Sequence, residues 1–123
     1  MEHLSIEFTE ITEWYLKAKM PVNSSVHQPM GRLHGGASVV LIESIASMGS
    51  ALLLDLKKES PVGLEVNANH ISGIKTGTVI GTGKPIHIGK KTHIWQVEIH
   101  DEVTDKLICS GRITIMIISS ERG

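Results

Sequence analysis

The stretch HGGASVVLIESIASMGSALLL, residues 34–54, decides the fold. Its apolar side chains fall nearly all round a helix instead of along one stripe, and this pattern predicts a helix that is buried on most sides. The apolar positions are Val39, Val40, Leu41, Ile42, Ile45, Ala46, Met48, Leu52 and Leu53. The charged segment DLKKESP, residues 55–61, is predicted to follow the end of this helix.

The rest of the chain has the period of two that is typical of β-strands. In residues 14–22, Trp14, Leu16, Ala18, Met20 and Val22 fall on one side, and residues 4–12 alternate in part, which predicts an opening hairpin. Further strands are predicted at about 63–71, 77–86, 93–100 and 107–118, with a hairpin loop in HIGKKTH and a polar turn in DEVTDK. The pattern predicts a single α+β domain, residues 1–123, in which an antiparallel sheet wraps one long helix.

Composition limits the classes of function. Apolar residues make up 41% of the chain, charged residues 20%, and the net charge is −1, so no basic field predicts nucleic acid or an anionic membrane as a partner. The single cysteine, Cys109, and the lack of a signal-peptide pattern favour a cytoplasmic protein. The segment Gly35–Leu54 is long enough to span a bilayer, but Glu43 and its serines and glycines favour a buried core helix.

Glu43 is the one charged residue in the apolar stretch. An ionised side chain without a partner is costly to bury, so its presence calls for a reason. A desolvated carboxylate suits a nucleophile or a general base, and Ser47 lies one turn further along the same face. The alternative is a purely structural pair between Glu43 and a buried His or Lys.

The helix start offers a second candidate group. Gly35 and Gly36 open the helix without a Ser, Thr, Asp or Asn cap, and bare amides at the positive end of a helix dipole bind anions or a carbonyl oxygen that becomes negative. The alternative is a plain glycine turn. Eight residues separate Gly35 from Glu43, about 12 Å along a helix, so the two cannot act on one carbonyl from the same chain. This spacing predicts a dimer with shared sites.

The segments HQPMGRLHGGASVVLIES (27–44), VGLEVNANHI (62–71) and KPIHIGKKTHIWQVEI (84–99) closely resemble the hotdog-fold, PaaI-like acyl-CoA thioesterases. The group includes the 4-hydroxybenzoyl-CoA thioesterase of Arthrobacter type, the enterobactin proofreading thioesterase and the 1,4-dihydroxy-2-naphthoyl-CoA thioesterase. The resemblance covers the chain from about Leu4 to Ile118. It implies hydrolysis of an acyl-CoA, with aromatic acyl groups preferred, by a homodimer that pairs into a homotetramer, without a cofactor.

The resemblance also implies roles for individual residues. Glu43 corresponds to the catalytic carboxylate, either as nucleophile or as the base that activates water. Gly35 corresponds to the glycine whose amide polarises the thioester carbonyl, and Gln28 and His34 to side chains that orient the thioester and the water. Ser47 corresponds to the hydroxyl one turn past the carboxylate.

CoA contacts are implied along the later strands. They are Gly63, His70, Ile71, Ser72, His87, Ile88, Gly89, Lys90, Lys91 and Thr92. Lys90 and Lys91 are the phosphate candidates because ammonium groups suit phosphate oxygens, and the alternative for them is a solvated hairpin tip. Two departures from the family are the missing leading helix before the first strand and Ser72, which replaces an arginine of some relatives.

The sequence predicts no metal site, and two rival functions compete with the thioesterase assignment. No Cys/His pair has zinc-ligand spacing, and His3, His27, His93 and His100 are predicted to be surface or strand positions instead of ligands. One rival is a hydratase or dehydratase on the same fold, whose motifs differ from the His-Gly-Gly and Glu seen here. The other is a non-catalytic acyl-CoA sensor, which would have no reason to keep Glu43.

Overall fold

The computed structural model describes residues 5–22, 35–74 and 76–119, which form one helix and six strands. The elements are β1 (Glu7–Ile11), β2 (Leu16–Val22), α1 (Gly35–Leu52), β3 (Glu59–His70), β4 (Gly77–Ile88), β5 (Thr92–Asp101) and β6 (Leu107–Ser119). All six strands join one antiparallel sheet in the order β1-β2-β4-β5-β6-β3. The predicted α+β architecture, a sheet around one long helix, is confirmed.

The core lies between α1 and one face of the sheet. Leu41, Ile42, Ile45 and Ala46 of the helix are fully buried against strand residues that alternate with solvated ones. The buried strand residues are Leu16, Ala18, Met20, Val22, Val79, Trp95, Val97, Ile99, Ile108, Cys109, Ile113, Ile115 and Ile117. Burial of this apolar surface on both sides of the contact is the main term that stabilises the fold.

Glycines in the sheet let the helix approach closely. A Cβ on Gly81 would lie 2.6 Å from Ile45, one on Gly83 would overlap Ile45, and one on Gly111 would lie 2.6 Å from Ile42. The irregular register of β4 falls later, between Pro85 and His87, so Gly81 and Gly83 do not form its bulge. These glycines therefore set the helix-to-sheet distance.

The first hairpin differs from its prediction at one residue. β2 alternates buried and half-buried residues as predicted, from Leu16 to Val22. Trp14 was predicted to share that buried side, but it lies in the bend before the strand and is 75% exposed. The hydroxyl of Thr12 accepts hydrogen bonds from the backbone N–H groups of Trp14 and Tyr15, so the turn occupies the residue that the alternation assigned to a strand.

The polar turn between β5 and β6 is confirmed. The Asp101 carboxylate accepts hydrogen bonds from the backbone N–H groups of Val103 (2.9 Å) and Thr104 (3.3 Å), which lowers the pKa of that carboxyl. Asp105 has a φ of 60°, in the left-handed region that a short polar residue tolerates. The turn closes the pair of long strands that cross the centre of the sheet.

A polar cluster is buried under the last turn of α1. Ser50, His93 and Trp95, which we call the Ser50 cluster, are 0%, 2% and 2% exposed. The Trp95 Nε1–H donates to Ser50 Oγ (2.9 Å), and Ser50 Oγ lies 2.7 Å from His93 Nδ1. The Ser50 hydroxyl donates to Nδ1 if the neutral imidazole carries its hydrogen on Nε2, and it accepts from Nδ1–H in the other tautomer. Each of the three polar side chains thus has a partner inside the core.

Gly49→Ala should destabilise the protein by about 1–3 kcal/mol, because a Cβ at this position overlaps the Trp95 ring and the core is already filled. Chemical denaturation of both proteins measures the difference. Gly63→Ala is the matched control, since its Cβ would lie at an ordinary 3.7 Å from Glu43. An unchanged unfolding midpoint for Gly49→Ala would contradict this packing.

Stability should fall on the acid side because of His93. Burial lowers the pKa of His93 from 6.5, with Glu59 opposing this shift and His87 adding to it. Below about pH 6.5 the unfolded chain binds a proton at this imidazole before the folded chain does, so the free energy of unfolding decreases as the pH falls through 6.5. Denaturation curves from pH 8 to 5 should show a steeper loss for the wild type than for His93→Asn, and parallel losses would refute the assignment.

Candidate active site

Glu43 lies on the exposed side of α1, which corrects the prediction that its carboxylate is enclosed. The helix is buried along Leu41, Ile42, Ile45 and Ala46, whereas Glu43 is on the flank next to β3. Because β3 is the last strand of the sheet, nothing further in the described chain covers that flank. Glu43 is accordingly exposed in the part of the chain that the structure describes.

A small cleft separates Glu43 from β3. The Glu43 Oε2 lies 3.7 Å from the position that a Cβ on Gly63 would take, and the lining also includes Leu64, Val66 and Ile113. The register of β3 shifts between Gly63 and Glu65, so Leu64 forms a bulge beside the carboxylate. The cleft has a volume of about 110 Å³. This is less than the roughly 300 Å³ of the smallest usual ligand sites, so the described residues enclose only part of a site of that size.

The helix start matches its prediction. α1 begins at Gly35, and no Asp or Glu lies in its first turn, so the positive end of the dipole is not compensated within the helix. Gly35 and Glu43 are eight residues apart on this continuous helix, or about 12 Å along its axis. Gln28 and His34, predicted to orient the thioester and water, lie outside the described residues.

Ser47 lies on the same stripe of α1 as Glu43. It is half-buried and follows the carboxylate by one turn, as predicted. Gly36 and Val40 precede Glu43 on this stripe, and neither is fully buried. The stripe therefore runs from the helix start to Ser47 along the open flank.

Three predicted CoA contacts lie where β3 ends. His70 is the last residue of β3 and is exposed, and Ile71 is 56% exposed. Ser72 is half-buried, and its hydroxyl donates to the carbonyl of Leu107 (2.7 Å). This bond uses the single hydroxyl hydrogen, so Ser72 fixes the chain to β6 in this arrangement instead of offering a donor to a phosphate.

The other predicted CoA contacts form the β4–β5 hairpin, whose loop is confirmed. The Gly89 N–H donates to the carbonyl of Thr92 (2.9 Å), the His87 ring packs over Gly89, and Lys90 and Lys91 are exposed at the tip. Lys91 is held to the sheet through its carbonyl, which accepts from the Ile117 N–H (2.8 Å).

The two groups of CoA contacts lie at opposite ends of the sheet. His70 pairs with Cys109 of β6, whereas Thr92 pairs with Met116 of the same strand. Seven residues of a β-strand span about 23 Å, so the His70 end and the hairpin are not brought together within one chain. Gly63 pairs with Ile115, so it lies near the hairpin end of the sheet, next to Glu43.

Other features of the surface hold none of the predicted site residues. A groove with a volume of about 590 Å³ lies on the sheet face opposite α1 and has mixed charges, with Lys17, Lys84 and Glu98 among its lining. Among the described residues, no group of three His, Cys, Asp or Glu side chains has the proximity to hold a metal ion. No helix of the described chain has the length and apolarity needed to cross a membrane.

Two features of the site were not found from the sequence. The bulge at Leu64 follows from strand pairing, and VGLEV has no glycine or proline pattern that distinguishes it from a regular strand. The exposure of β3 follows from its place at the edge of the sheet, which depends on the strand order. The signal that was present is the long strand itself, which keeps apolar residues at Val62, Leu64 and Val66.

Comparisons with known proteins identify the class to which this helix-and-sheet fold belongs. The family model described as the thioesterase superfamily matches residues 30–108. The 1,4-dihydroxy-2-naphthoyl-CoA hydrolase of Escherichia coli K12 is 47% identical over 115 residues, 94% of this chain and 83% of that protein. The proofreading thioesterase EntH of Cronobacter turicensis is 36% identical over 118 residues, which are 96% of this chain and 85% of that protein.

Solved structures give the same result. A variant of thioesterase PA1618 from Pseudomonas aeruginosa superposes with a TM-score of 0.92 at 42% identity, over 96% of this chain and 84% of that one. The chain therefore belongs to the thioesterase superfamily and has its hotdog fold. By class, the protein is an enzyme that hydrolyses thioesters.

Proposed function

We propose that the protein hydrolyses an aromatic acyl-CoA to the free acid and CoA, in an active site shared between two subunits. The observation that carries the proposal is the position of Glu43, whose carboxylate faces Gly63 across an incomplete cleft at the edge of the sheet. In the proposal, Glu43 is the nucleophile or the general base, and the Gly35 amide polarises the thioester carbonyl.

Glu43 can complete the hydrolysis in either of two roles. As a base, the carboxylate takes a proton from water while the water oxygen bonds to the thioester carbon, and the C–S bond then breaks as the thiolate leaves and is protonated. As a nucleophile, Glu43 forms an anhydride with loss of the thiolate, and water hydrolyses that anhydride. In either case, charge develops on the carbonyl oxygen, where a helix-start amide stabilises it.

The β3 edge supports a second copy of the chain as the missing wall. β3 has 12 residues, lies at the edge of the sheet, and exposes Val62 (44%), Leu64 (58%) and Val66 (36%). A long apolar edge strand is a template for pairing with another strand. Antiparallel pairing of two β3 strands about a two-fold axis satisfies both edges with one self-complementary contact.

Such pairing accounts for two separations within one chain. One is between Gly35 and Glu43, and the other is between the His70 end of β3 and the β4–β5 hairpin. In the proposal, antiparallel pairing turns the start of the partner's α1 towards Glu43, and it brings the partner's His70 to the same end of the joined sheet as the β4–β5 hairpin. The two groups of CoA contacts, about 23 Å apart along the strands of one chain, then lie at the same end of the joined sheet. The pairing of such dimers into a homotetramer and a cytoplasmic location stay predictions from the resemblance and from composition.

The aromatic acyl group is the finer part of the proposal. The Escherichia coli relative is named for a dihydroxynaphthoyl-CoA, and its 47% identity supports a substrate of that chemical class. The thioester itself follows from the family. Gln28 and His34 enter the proposal only as orienting groups implied by the resemblance.

The test is thiol release from a panel of aromatic and aliphatic acyl-CoAs. Cys109, the single cysteine, is buried, and burial raises the pKa of its thiol, so a thiol reagent reports mainly the CoA set free. The expected result is the highest kcat/KM for an aromatic acyl-CoA. A preference for aliphatic chains would reject the aromatic part alone.

Two other outcomes would favour the rival functions. Hydration of an enoyl-CoA without thiol release would identify a hydratase. Binding of acyl-CoA without any turnover would identify a sensor and would leave the open carboxylate of Glu43 without a role.

A further inference from the structure

The β4–β5 hairpin is attached to α1 through a buried polar contact. Lys90 and Lys91 lie at the hairpin tip, and His93 follows two residues later as the second residue of β5. Its Nδ1 lies 2.7 Å from Oγ of Ser50, in the last turn of α1. The described residues contain three fully buried polar side chains, Ser38, Ser50 and His93, and two of them form this contact.

The contact fixes a distance within the site proposed above. Glu43 and Ser50 are seven residues apart on one straight element, about 10 Å along the axis. The hairpin therefore stands at a set distance from the carboxylate as long as Ser50 and His93 stay bonded. Trp95 reinforces this arrangement, because its Nε1–H donates to Ser50 Oγ and its ring fits against Gly49.

The other attachments of the hairpin come from the sheet, where His93 pairs with Ile88 of β4 and with Ile115 of β6. Before the hairpin, the register of β4 shifts between Pro85 and His87, and Ile86 and Ile88 are 51% and 46% exposed. On the far side, the Ile117 N–H donates to the Lys91 carbonyl. This backbone pairing holds the hairpin within the sheet, and the Ser50–His93 contact is the buried side-chain bond that holds it against α1.

We propose that Ser50 and His93 are positioning residues, which hold the β4–β5 hairpin against α1 and thereby set how tightly the phosphate end of a CoA thioester binds. The inference rests on the proposed function, since it takes Lys90 and Lys91 as phosphate contacts. Neither Ser50 nor His93 touches the substrate. Their effect reaches it through the place of the two ammonium groups.

The test compares two substrates that share an acyl group. One is the acyl-CoA, and the other is the acyl N-acetylcysteamine thioester, which has no phosphates. Ser50→Ala and His93→Leu should raise KM for the acyl-CoA roughly three- to tenfold, the factor that one hydrogen bond is worth, with kcat unchanged. For the phosphate-free thioester, kcat/KM should stay within about twofold.

Rescue and control variants separate positioning from general damage. His93→Asn keeps an acceptor near the Nδ1 position and should retain the wild-type KM. His100→Gln changes a half-buried histidine of the same strand and should have no effect. If His93→Leu does not fold, Ser50→Ala gives the same test with a smaller change in volume.

The deciding outcomes are distinct. Equal losses for both substrates, or no loss for either, would overturn the proposal. Calorimetric titration with CoA alone makes the test independent of turnover. Ser50→Ala is expected to bind CoA more weakly than the wild type, even if neither protein hydrolyses a thioester. Absence of hydrolysis would reject only the proposed function. Unchanged CoA binding in a Lys90→Ala/Lys91→Ala variant would remove the premise and overturn the inference.

Discussion

Glu43→Gln should lower kcat by roughly 10²- to 10⁴-fold, because the amide keeps the size of the side chain but provides neither a nucleophile nor a base. Binding of CoA should persist, since the neutral amide still fills the cleft beside Gly63. Single-turnover hydrolysis and calorimetric titration with CoA measure the two quantities separately. In the single chain, the carboxylate is exposed, so this substitution leaves no cavity and should not change the unfolding midpoint.

Glu98→Gln is the matched control, because Glu98 is exposed on the sheet face opposite α1. It makes the same chemical change far from the cleft and should retain wild-type turnover. A Glu43→Gln enzyme that turns over within tenfold of wild type would contradict the role of the carboxylate. A loss of turnover in both variants would indicate a general effect of charge.

Two inactive variants should restore activity when they share a dimer. Gly35→Pro removes the helix-start amide, and proline is well tolerated in the first turn, so the helix itself should form. In a mixed dimer of Gly35→Pro and Glu43→Gln chains, one site has both defects and the other has none. Random mixing of equal amounts should therefore restore about one quarter of wild-type activity, whereas sites within one chain predict none.

The measurement is turnover after joint unfolding and refolding of the two variants, compared with each variant refolded alone. Mixed chains of Glu43→Gln with Glu98→Gln give the control, in which wild-type activity appears at half of the sites under either arrangement. Turnover from the Gly35→Pro and Glu43→Gln mixture no higher than that of the separate variants would reject shared sites.

The sequence was sufficient for the elements and insufficient for their edges. Periodicity placed α1 and the alternation of β2, and the glycines placed the helix start at Gly35. It placed the start of the third strand at about residue 63, but β3 begins at Glu59 and includes Pro61. A proline is compatible with this strand because β3 is at the edge of the sheet, and edge position is a property of the whole topology.

The environment of Glu43 shows the same limit. Helical periodicity gives the apolar fraction around α1, and for this helix it predicted burial on most sides. Which flank is covered depends on where the sheet stops, and it stops at β3. The sequence therefore singled out Glu43 as an unusual charged residue in an apolar helix. It did not predict that the carboxylate lies beside the edge strand β3.

The Ser50 cluster could not be predicted from the sequence, for a different reason. His93 was predicted to be a surface or strand position, and a strand position is confirmed, but its partner is 43 residues away in the chain. Contacts of such separation leave no local pattern. The buried contact between His93 and Ser50 was therefore found only in the structure.

The unequal lengths of the two sheet edges bear on how the protein avoids growing into a fibril. If β3 were to add to β1 of the next copy, each addition would expose a new β3, and the polymer would have no natural end. β1 is a poor acceptor for such growth: it has five residues, its register breaks between Phe8 and Glu10, and its Glu10 forms an ion pair with Lys17. In the proposed dimer, pairing of β3 with β3 covers the reactive edge of both copies, and only the short, charged β1 strands are left at the two ends of the joined sheet, where they oppose further growth.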